Sequence, residues 1–458
     1  MMPPATRIAI LVLCAGASLG FGITSIAGVL DHLRQAFDLG LLGSQCLVFV
    51  LVGGCFVGAA LAGPVTRRWG RRPTIALAVL LAVMASAVLL TQPPLSIVFA
   101  TRALIGLSIG LLSMAVPMYA AEASHASLRG TAVTLFQLAI TGGILLAYGL
   151  ALLFDGATQW HWVLGGGLVP NLAAGIALIV LPESPLWLAG RGRTAQASAA
   201  AKMLGIPEQW GALDPRPATG AATPERGGIG QALGQGRVLS VLLLCSFLFV
   251  LQNLSGIDGI LYYAPEIFKS LGFSAGAASL GATCGLGLAN FLATIASVVL
   301  VDRAGRRQLW IWGSALMAAG LATVVAAAQH DWPWLGLAGL CVYILAFAVS
   351  LGPLPYVLMS ELVPSVLREP GIATASAVSW LFNALIALVF LSVVQILGLA
   401  GTMLIFLAVC LVSFCVGLWW LPETRRVPLD VIEARVLAGH PLRELGVSNE
   451  RPVFRTEE

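Results

Sequence analysis

The sequence predicts an all-α membrane protein with twelve transmembrane helices, arranged as two six-helix bundles related by pseudo-twofold symmetry. The composition is the first reason: of 458 residues, 58% are hydrophobic and 10% are charged, whereas soluble domains carry about 25% charged residues. So few charges exclude a cytosolic enzyme, a nucleic-acid-binding protein and a disordered chain. The apolar runs are continuous rather than alternating, which excludes a transmembrane β-barrel.

Twelve apolar runs reach the length of about 20 residues that a helix needs to cross a bilayer. Six precede and six follow the longest polar stretch, whose Pro- and Gly-containing segments are typical of a linker. The sequence therefore predicts an N-terminal bundle (1–181), a cytoplasmic linker with short helices (182–237), a C-terminal bundle (238–421) and a cytoplasmic tail (422–458). The runs lie at about 8–30, 44–66, 74–92, 95–120, 131–154, 162–181, 238–263, 276–301, 308–328, 334–359, 372–397 and 400–421.

The distribution of positive charge predicts the orientation. Of the 25 Lys and Arg residues, 22 lie in the even-numbered connections between runs or in the two tails. The three exceptions are Arg34 and Lys269, which lie in odd-numbered connections, and Arg102, which lies within the fourth run. Cytoplasmic loops carry the excess of Lys and Arg. We therefore expect a multi-pass protein of the cell membrane with both termini in the cytoplasm.

Three short motifs recur in the same order in both halves, after the second, fourth and sixth runs. Because each half contains an even number of spans, the two copies share one orientation, which is a parallel repeat. The separations are 235 to 240 residues. The pairs are Gly70-Arg71-Arg72 with Gly305-Arg306-Arg307, Glu122 and Arg129 with Glu361 and Arg368, and Pro182-Glu183-Ser184 with Pro422-Glu423-Thr424.

Together with further motifs, these segments resemble the sugar porter family of the major facilitator superfamily, which includes the glucose facilitators and the bacterial xylose–proton symporter. The resemblance runs from about Gly20 to Arg425. It implies the fold of that superfamily and a carrier for a monosaccharide, a hexose or a pentose, that works by alternating access. The sequence departs from the family at three positions. It has Arg67 where the family has an acidic residue, Leu186 where the family has Arg, and Tyr356 where the family has Trp. The further motifs are Asp302-Arg303-Ala304, Pro117-Met118-Tyr119, Leu261-Tyr262-Tyr263-Ala264-Pro265 and Gly352-Pro353-Leu354-Pro355.

Motifs for enzymatic chemistry are missing or misplaced. The sequence has no Walker motif, and the stretch Gly106–Gly110, a GxSxG match, lies inside an apolar run, where small residues serve helix packing. All eight cysteines lie in apolar runs, as small core residues do. We therefore expect neither an enzyme nor a bound metal or cofactor, and a monomer whose partners are a sugar and the lipid bilayer, not nucleic acid.

Polar side chains inside the runs are the candidates for substrate contacts, because the bilayer makes each of them costly. Amides offer both donors and acceptors to a neutral polyhydroxyl ligand, and aromatic faces suit the apolar side of a sugar ring. The resemblance places three of them, Gln137, Gln252 and Asn290, at sugar-contacting positions. Helix–helix hydrogen bonding is the alternative for the set, above all for Asn383. The predicted substrate-binding residues are Gln137, Gln252, Asn253, Asp258, Asn290, Tyr356, Trp380 and Asn383.

The repeated charges form a second predicted group, a cytoplasmic gating network. The resemblance implies that they pair across helix ends and hold the cytoplasmic side closed while the carrier is open outward. Neutralising Glu361 or Arg306 is then expected to unpair charges only in the outward-facing state. The alternative is that these charges only set the topology. The network comprises Arg71, Arg72, Glu122, Arg129, Glu183, Arg306, Arg307, Glu361, Arg368 and Glu423.

Energy coupling is where the sequence differs most from its relatives. Proton symporters of the family carry an Asp in the first span that pairs with an Arg in the fourth; here the Asp position aligns with Gly22, while Arg102 is retained. A glycine cannot hold a proton, so the sequence favours facilitated diffusion. Coupling through a proton on Asp258 is one alternative. In another, the Asp258 carboxylate only accepts hydrogen bonds from sugar hydroxyls, and Arg102 offsets its charge. A drug or metabolite exporter and a non-transporting sugar sensor are further alternatives.

Overall fold

The computed structural model describes residues 3–125, 129–156, 159–206, 238–364, 368–425 and 427–446, and in these ranges the regular secondary structure is helical. Six spans precede the linker, and span 6 consists of two helices. Their bounds are Pro4–Thr24, Leu41–Trp69, Arg71–Leu89, Leu95–Ala123, Arg129–Leu153, and Trp160–Gly165 with Leu168–Ile179. Shorter helices lie at Leu30–Phe37, after span 1, and at Pro185–Gly190 and Thr194–Leu204, after span 6.

The second half repeats this order. Spans 7 and 10 each consist of two helices, and spans 11 and 12 form one continuous run that breaks at Gly398, where φ is 70° and ψ 173°. The bounds are Val238–Leu254 with Ile257–Tyr262, Ala277–Ala304, Arg306–His330, Pro333–Val349 with Leu354–Leu362, and Arg368–Trp419. A helix at Ala264–Ser270 follows span 7, and Leu429–Leu437 and a 3₁₀ turn at Leu442–Glu444 lie in the tail.

The prediction of twelve spans is confirmed. Within the described ranges, 11 helical segments are long and apolar enough to cross a membrane. The last of them contains two spans, separated at Gly398. Hydropathy alone divides that run at the same place, between residues 397 and 400.

Each half is a bundle with the same neighbours. Span 1 packs against span 5 and span 2 against span 4, and in the second half span 7 packs against span 11 and span 8 against span 10. The halves meet where span 5 packs against span 8 and span 2 against span 11. This arrangement places spans 1 and 7 beside each other at the centre.

Glycines allow the closest helix contacts, as predicted for Gly106–Gly110. A Cβ added at Gly106 would lie 1.9 Å from the carbonyl oxygen of Leu51, and one at Gly110 would lie 2.2 Å from that of Cys55. Span 4 therefore approaches span 2 backbone to backbone. The helix-packing interpretation of this motif is confirmed, and a nucleophile elbow is excluded.

The repeated glycine-arginine motif forms the same turn in both halves. Gly70 has a φ of 104° and Gly305 a φ of 93°, which L-residues with a side chain rarely adopt. The Glu183 carboxylate accepts hydrogen bonds from the backbone N–H groups of Arg71 (3.1 Å) and Arg72 (3.2 Å). A carboxylate thus caps the N-terminus of span 3, where the helix dipole favours negative charge.

The cap recurs at span 9. The Glu423 carboxylate accepts hydrogen bonds from the backbone N–H of Arg306 (3.0 Å) and of Arg307 (3.2 Å). A Cβ at Gly305 would lie 2.6 Å from the nearer Glu423 oxygen. Both copies therefore require glycine for two reasons, the backbone conformation and the space for the capping carboxylate.

We expect Gly70→Ala to lower the thermal unfolding temperature of the detergent-purified protein. The left-handed backbone costs about 1–3 kcal/mol for a residue with a side chain, and the new Cβ would lie 2.2 Å from Oε2 of Glu183 and displace the cap. The matched control is Gly63→Ala in the same helix, where a Cβ meets no atom within 4 Å. Equal unfolding temperatures for the two variants would show that the turn does not require glycine.

Candidate functional site

A chain of polar side chains joins spans 7 and 11. Asp258 follows the break in span 7, where Gly256 has a φ of 94°. The Asn383 carbonyl on span 11 accepts a 2.8 Å hydrogen bond from the Tyr262 hydroxyl, and the Asn383 side chain lies near the Asp258 carboxylate. Tyr262, Asn383 and Asp258 therefore form one polar group between the two spans. In the part of the chain that the structure describes, no lysine or arginine forms an ion pair with Asp258.

An amide and an aromatic ring lie between spans 7 and 10. The Gln252 amide donates a 2.9 Å hydrogen bond to the carbonyl of Gly352. Tyr356, one turn further along span 10, contacts Phe249 edge-on with ring centroids 4.7 Å apart and keeps half of its side chain exposed. The structure thus brings the predicted residues Gln252 and Tyr356 into one region.

Asn253 has a different environment from its neighbour. Its amide nitrogen donates to the carbonyl of Phe249 at 2.7 Å and to the hydroxyl of Ser379 at 2.9 Å. Both N–H donors are used and the residue is buried. These bonds favour the helix–helix alternative for Asn253, with span 11 as the partner.

Three other predicted residues lie on spans 5, 8 and 11. Asn290 is buried on span 8, and its amide has no hydrogen-bond partner among the described residues. Trp380 is half-buried on span 11. Gln137 is exposed and lies eleven residues, or about three helical turns, before Tyr148. Tyr148 donates a 2.7 Å hydrogen bond to the carbonyl of Leu261 in the other half, so Gln137 shares the helix face that is directed toward that half.

The structure places Arg102 beside Gly22, as the resemblance implies. Arg102 is 1% exposed and its Nη1 lies 3.3 Å from the carbonyl oxygen of Gly22, with Nε 3.5 Å from that of Leu47. Its Nη2 is buried without a hydrogen-bond partner. The expected partnership of Arg102 with Asp258 does not occur in this structure. The guanidinium therefore has backbone carbonyls, and no carboxylate, as its partners.

The predicted gating charges pair inside each half. In the first half, Nη2 of Arg71 lies 2.7 Å from Oε1 of Glu122, and Ser184 donates to the other oxygen of that carboxylate. In the second half, Nη2 of Arg306 lies 3.0 Å from Oε1 of Glu361, and Thr424 donates to Glu361 at 2.5 Å. The two clusters repeat each other, including the hydroxyl after the capping glutamate.

Two further arginines of the network, Arg72 and Arg307, bind the ends of spans 6 and 12. Arg72 donates to the carbonyl of Ile179 at 3.3 Å, and Arg307 donates to that of Leu418 at 2.9 Å. Arg129 and Arg368 begin spans 5 and 11, and their side chains lie outside the described part of the structure.

Ionic contacts join the two halves at the end opposite these arginine clusters. Lys269 pairs with Asp31, and Nη1 of Arg34 lies 2.9 Å from Oε1 of Glu266. We call these four residues the latch. They belong to the short helices after spans 1 and 7. Gln45 of span 2 donates to the Ser392 hydroxyl of span 11 at 2.9 Å, at the same end. The protein is therefore closed at this end.

The Arg306–Glu361 pair is intact in a structure whose opposite end is closed. Both partners belong to the same half of the chain. The expectation that this pair forms in the outward-facing state only stays a prediction.

Sequence reasoning missed the latch, although it had a signal. Arg34 and Lys269 are the two cations that the charge count assigns to odd-numbered connections. Their acidic partners are 232 and 238 residues away, which no local pattern could show.

The latch contains two carboxyl groups whose pKa values are shifted in opposite directions, Glu266 and Asp31. Burial, together with the hydrogen bond and negative charge of Asp31, raises the pKa of Glu266. Burial also acts to raise the pKa of Asp31. The hydrogen bonds from Glu266 and Lys269, together with the positive charges of Lys269 and Arg34, outweigh the effect of burial, so the pKa of Asp31 is lowered. Of the two carboxyl groups, Glu266 therefore takes up a proton before Asp31 as the pH falls.

We expect mild acid to favour the closed latch. Because the pKa of Glu266 is raised in the closed state, that state gains stability as the pH falls through this pKa toward the ordinary value of 4.5. Below the ordinary Asp value of 3.8, protonation of Asp31 reverses the effect. The closure can be measured by pulsed electron paramagnetic resonance between spin labels at Gly40→Cys and Ala275→Cys, in a protein without the native cysteines. The distance between the labels should shorten from pH 7 to pH 5. This range of about two pH units stays above the ordinary pKa values of both carboxyl groups.

Glu266→Gln provides the control, because glutamine keeps the shape and cannot titrate. In that variant the distance should not change over this pH range. A response that persists in Glu266→Gln would show that another group controls the closure.

Known proteins resemble this chain along most of its length. The family model described as "Sugar (and other) transporter" matches residues 30–435. The galactose–proton symporter of Escherichia coli K12 is 31% identical over 454 residues, which cover 96% of each chain. The arabinose–proton symporter of the same strain is 28% identical over 450 residues, with 96% of this chain and 95% of the relative covered.

Two solved structures of the xylose transporter XylE share the fold. The inward-open conformation of the E. coli protein superposes with a TM-score of 0.78 at 25% identity, covering 94% of this chain and 99% of that one. The proton:xylose symporter bound to 6-bromo-6-deoxy-D-glucose superposes with a TM-score of 0.75 at 26% identity, covering 96% and 98%.

Proposed function

Since the chain belongs to the sugar porter family of the major facilitator superfamily, we propose that it carries a monosaccharide, a hexose or a pentose, by alternating access. The observation that supports this most is the set of amides with unused hydrogen-bonding capacity near the boundary between the halves. The Asn290 side chain has no hydrogen-bond partner in the ranges that the structure describes, Gln137 is exposed, and Gln252 bonds a backbone carbonyl through one N–H. A neutral polyhydroxyl ligand needs such mixed donors and acceptors.

The same set argues against a drug or metabolite exporter as the function. An exporter of apolar compounds would favour a lining of aliphatic and aromatic side chains, without unpartnered amides. Here the half-exposed Tyr356 supplies an aromatic face next to Gln252, and the carboxylate of Asp258 extends the polar surface. A sugar ring presents both an apolar face and hydroxyl groups, and so matches this combination.

We further propose that both termini lie in the cytoplasm. The arginine clusters at Arg71 and Arg306 then occupy the cytoplasmic end, as the positive-inside rule requires. In that orientation the latch closes the extracellular end and the structure represents an inward-facing state. The similarity to the inward-open xylose transporter agrees with this assignment.

For energy coupling, we propose facilitated diffusion. The Arg102 guanidinium contacts the backbone of Gly22, where no side chain can bind or release a proton. Coupling through Asp258 is the second candidate. Two observations favour this candidate: the Asp258 carboxylate lies within a span, and it has no ion-pair partner in the described part of the chain. Ionisable side chains in such positions are typical of proton pathways. The proton coupling of the galactose and arabinose relatives also favours it.

We expect Gln252→Ala and Asn290→Ala to weaken sugar binding. The loss of one partner of a buried hydrogen bond costs about 1–3 kcal/mol, which corresponds to about 5- to 150-fold in affinity. Binding of hexoses and pentoses to the purified protein, measured by calorimetry, gives the comparison. Gln159→Ala, an exposed amide in a loop, is the control. Wild-type affinity in both variants would contradict the assigned site while leaving the transport function open to other residues.

Uptake into proteoliposomes with an imposed inward proton gradient tests the coupling. Facilitated diffusion predicts that sugar equilibrates without accumulation and that a protonophore has no effect. Asp258→Asn removes the candidate proton site, and Asp38→Asn is the matched control, since Asp38 is exposed and asparagine tolerates its φ of 50°.

Accumulation above the external concentration would contradict facilitated diffusion. If Asp258→Asn abolished that accumulation and Asp38→Asn did not, the carrier would be a symporter that uses Asp258.

A further inference from the structure

Two arginines beside the end of span 2, Arg67 and Arg191, have no role in the proposed transport cycle. A cavity of about 350 Å³ lies there, lined by Arg67, Arg71, Leu186, Trp187, Gly190 and Arg191. Three of these six side chains are guanidinium groups, and none is acidic. The cavity is formed by the C-terminus of span 2, the start of span 3 and the helix Pro185–Gly190.

Backbone and ring contacts hold the cavity in shape. The Trp187 indole donates to the carbonyl of Arg67 at 3.0 Å, and Nη2 of Arg191 donates to the same carbonyl at 2.6 Å. The Arg191 guanidinium also lies 5.3 Å from the centre of the Trp187 ring. The linker helix is thus fixed to the end of span 2, and the Arg191 guanidinium lies against the Trp187 ring.

The charge of the cavity is only partly neutralised. Glu122 binds Arg71, whereas the Arg67 side chain is exposed and forms no ion pair with any acidic residue in the described ranges. Arg67 stands where the resembling family has an acidic residue. The second half of this chain keeps that acid, since the position 235 residues after Arg67 is Asp302. The N-terminal copy has therefore exchanged a negative charge for a positive one.

The surroundings identify a lipid rather than a soluble anion. Arg67 lies two residues before the end of a membrane span, and the neighbouring Trp69 is 51% exposed and Leu186 40% exposed. Exposed tryptophan at a helix end is typical of the level of the lipid headgroups. Basic pockets between spans on the cytoplasmic side bind acidic headgroups, and guanidinium groups match the geometry of phosphate.

We propose that this cavity binds the phosphate of an anionic phospholipid, with Arg67 and Arg191 as the ligands for its oxygens and Trp187 beside them. The bound lipid links span 2 to the linker helix. The second half lacks an equivalent site, because Asp302, Val427 and Val431 occupy the positions that correspond to Arg67, Trp187 and Arg191. The site is therefore single, and it is independent of the sugar.

Native mass spectrometry of the full chain in detergent tests the proposal. The protein is titrated with phosphatidylglycerol, with phosphatidylcholine of the same acyl chains, and with inorganic phosphate. We expect one phosphatidylglycerol to be retained in preference to phosphatidylcholine, with an affinity that falls as salt rises. Arg67→Asp, which restores the acid of the second half, should weaken that binding by about tenfold or more, since each cation near the surface contributes about 1 kcal/mol.

Two further variants make the result specific. Arg303→Asp makes the same change in charge at the end of span 8 and should bind as the wild type does. Arg67→Lys keeps the positive charge but loses the paired N–H donors of the guanidinium, so this variant should bind the lipid with intermediate affinity. Intermediate binding would show that the protein is folded and that a contact has been lost.

Equal binding of phosphatidylglycerol by Arg67→Asp and Arg303→Asp would overturn the proposal. Equal retention of phosphatidylglycerol and phosphatidylcholine would also overturn it. Saturation by inorganic phosphate without a preference for the lipid would overturn it as well, because the cavity would then be a site for a soluble ion.

Discussion

The hydrocarbon core of a bilayer offers no water to an unpaired polar group, so each such group within a span needs a partner inside the protein or access to the transport path. This constraint separates the polar side chains of the chain into two kinds. Thr24, Thr66 and Ser314 bond the carbonyl four residues earlier in their own helices, and Asn253 bonds span 11. Asn290, Gln137 and Nη2 of Arg102 keep unused hydrogen-bonding capacity among the described residues, and the first two are the candidates for contact with a ligand.

The duplication ties each half together by the same contacts. The carboxylates of Glu183 and Glu423 cap spans 3 and 9 and hold them to the connections that follow spans 6 and 12. Glu122 and Glu361 bind the arginines of the same caps. These bonds are internal to a half. The latch differs, because its pairs Lys269–Asp31 and Arg34–Glu266 join the two halves, so these pairs must break before the latch end can open.

The fold followed from hydropathy and charge because both are local properties of the chain. The spans, the break near Gly398 and the turn at Gly70 all depend on residues close to one another in sequence. The candidate site was predicted in part: the polar positions were visible, but the rotation of span 7, which directs Asn253 to Ser379 and Gln252 to Gly352, is set by packing. The latch could not be predicted, because its charges come from connections in different halves and only the folded chain brings them together.

The environment of Arg102 limits how a proton could enter the transport cycle. A buried guanidinium without a carboxylate beside it is costly, since burying a charge requires compensation, and here only the carbonyls of Gly22 and Leu47 supply it. Placing a proton near that group would add a second positive charge to a region that already lacks an anion. Asp258 lies in a different setting, near Asn383 and the Tyr262 hydroxyl that Asn383 binds, and it brings its own negative charge. With Gly22 in place, the position between spans 1 and 4 has no side chain that could hold a proton, whereas Asp258 gives span 7 a carboxylate.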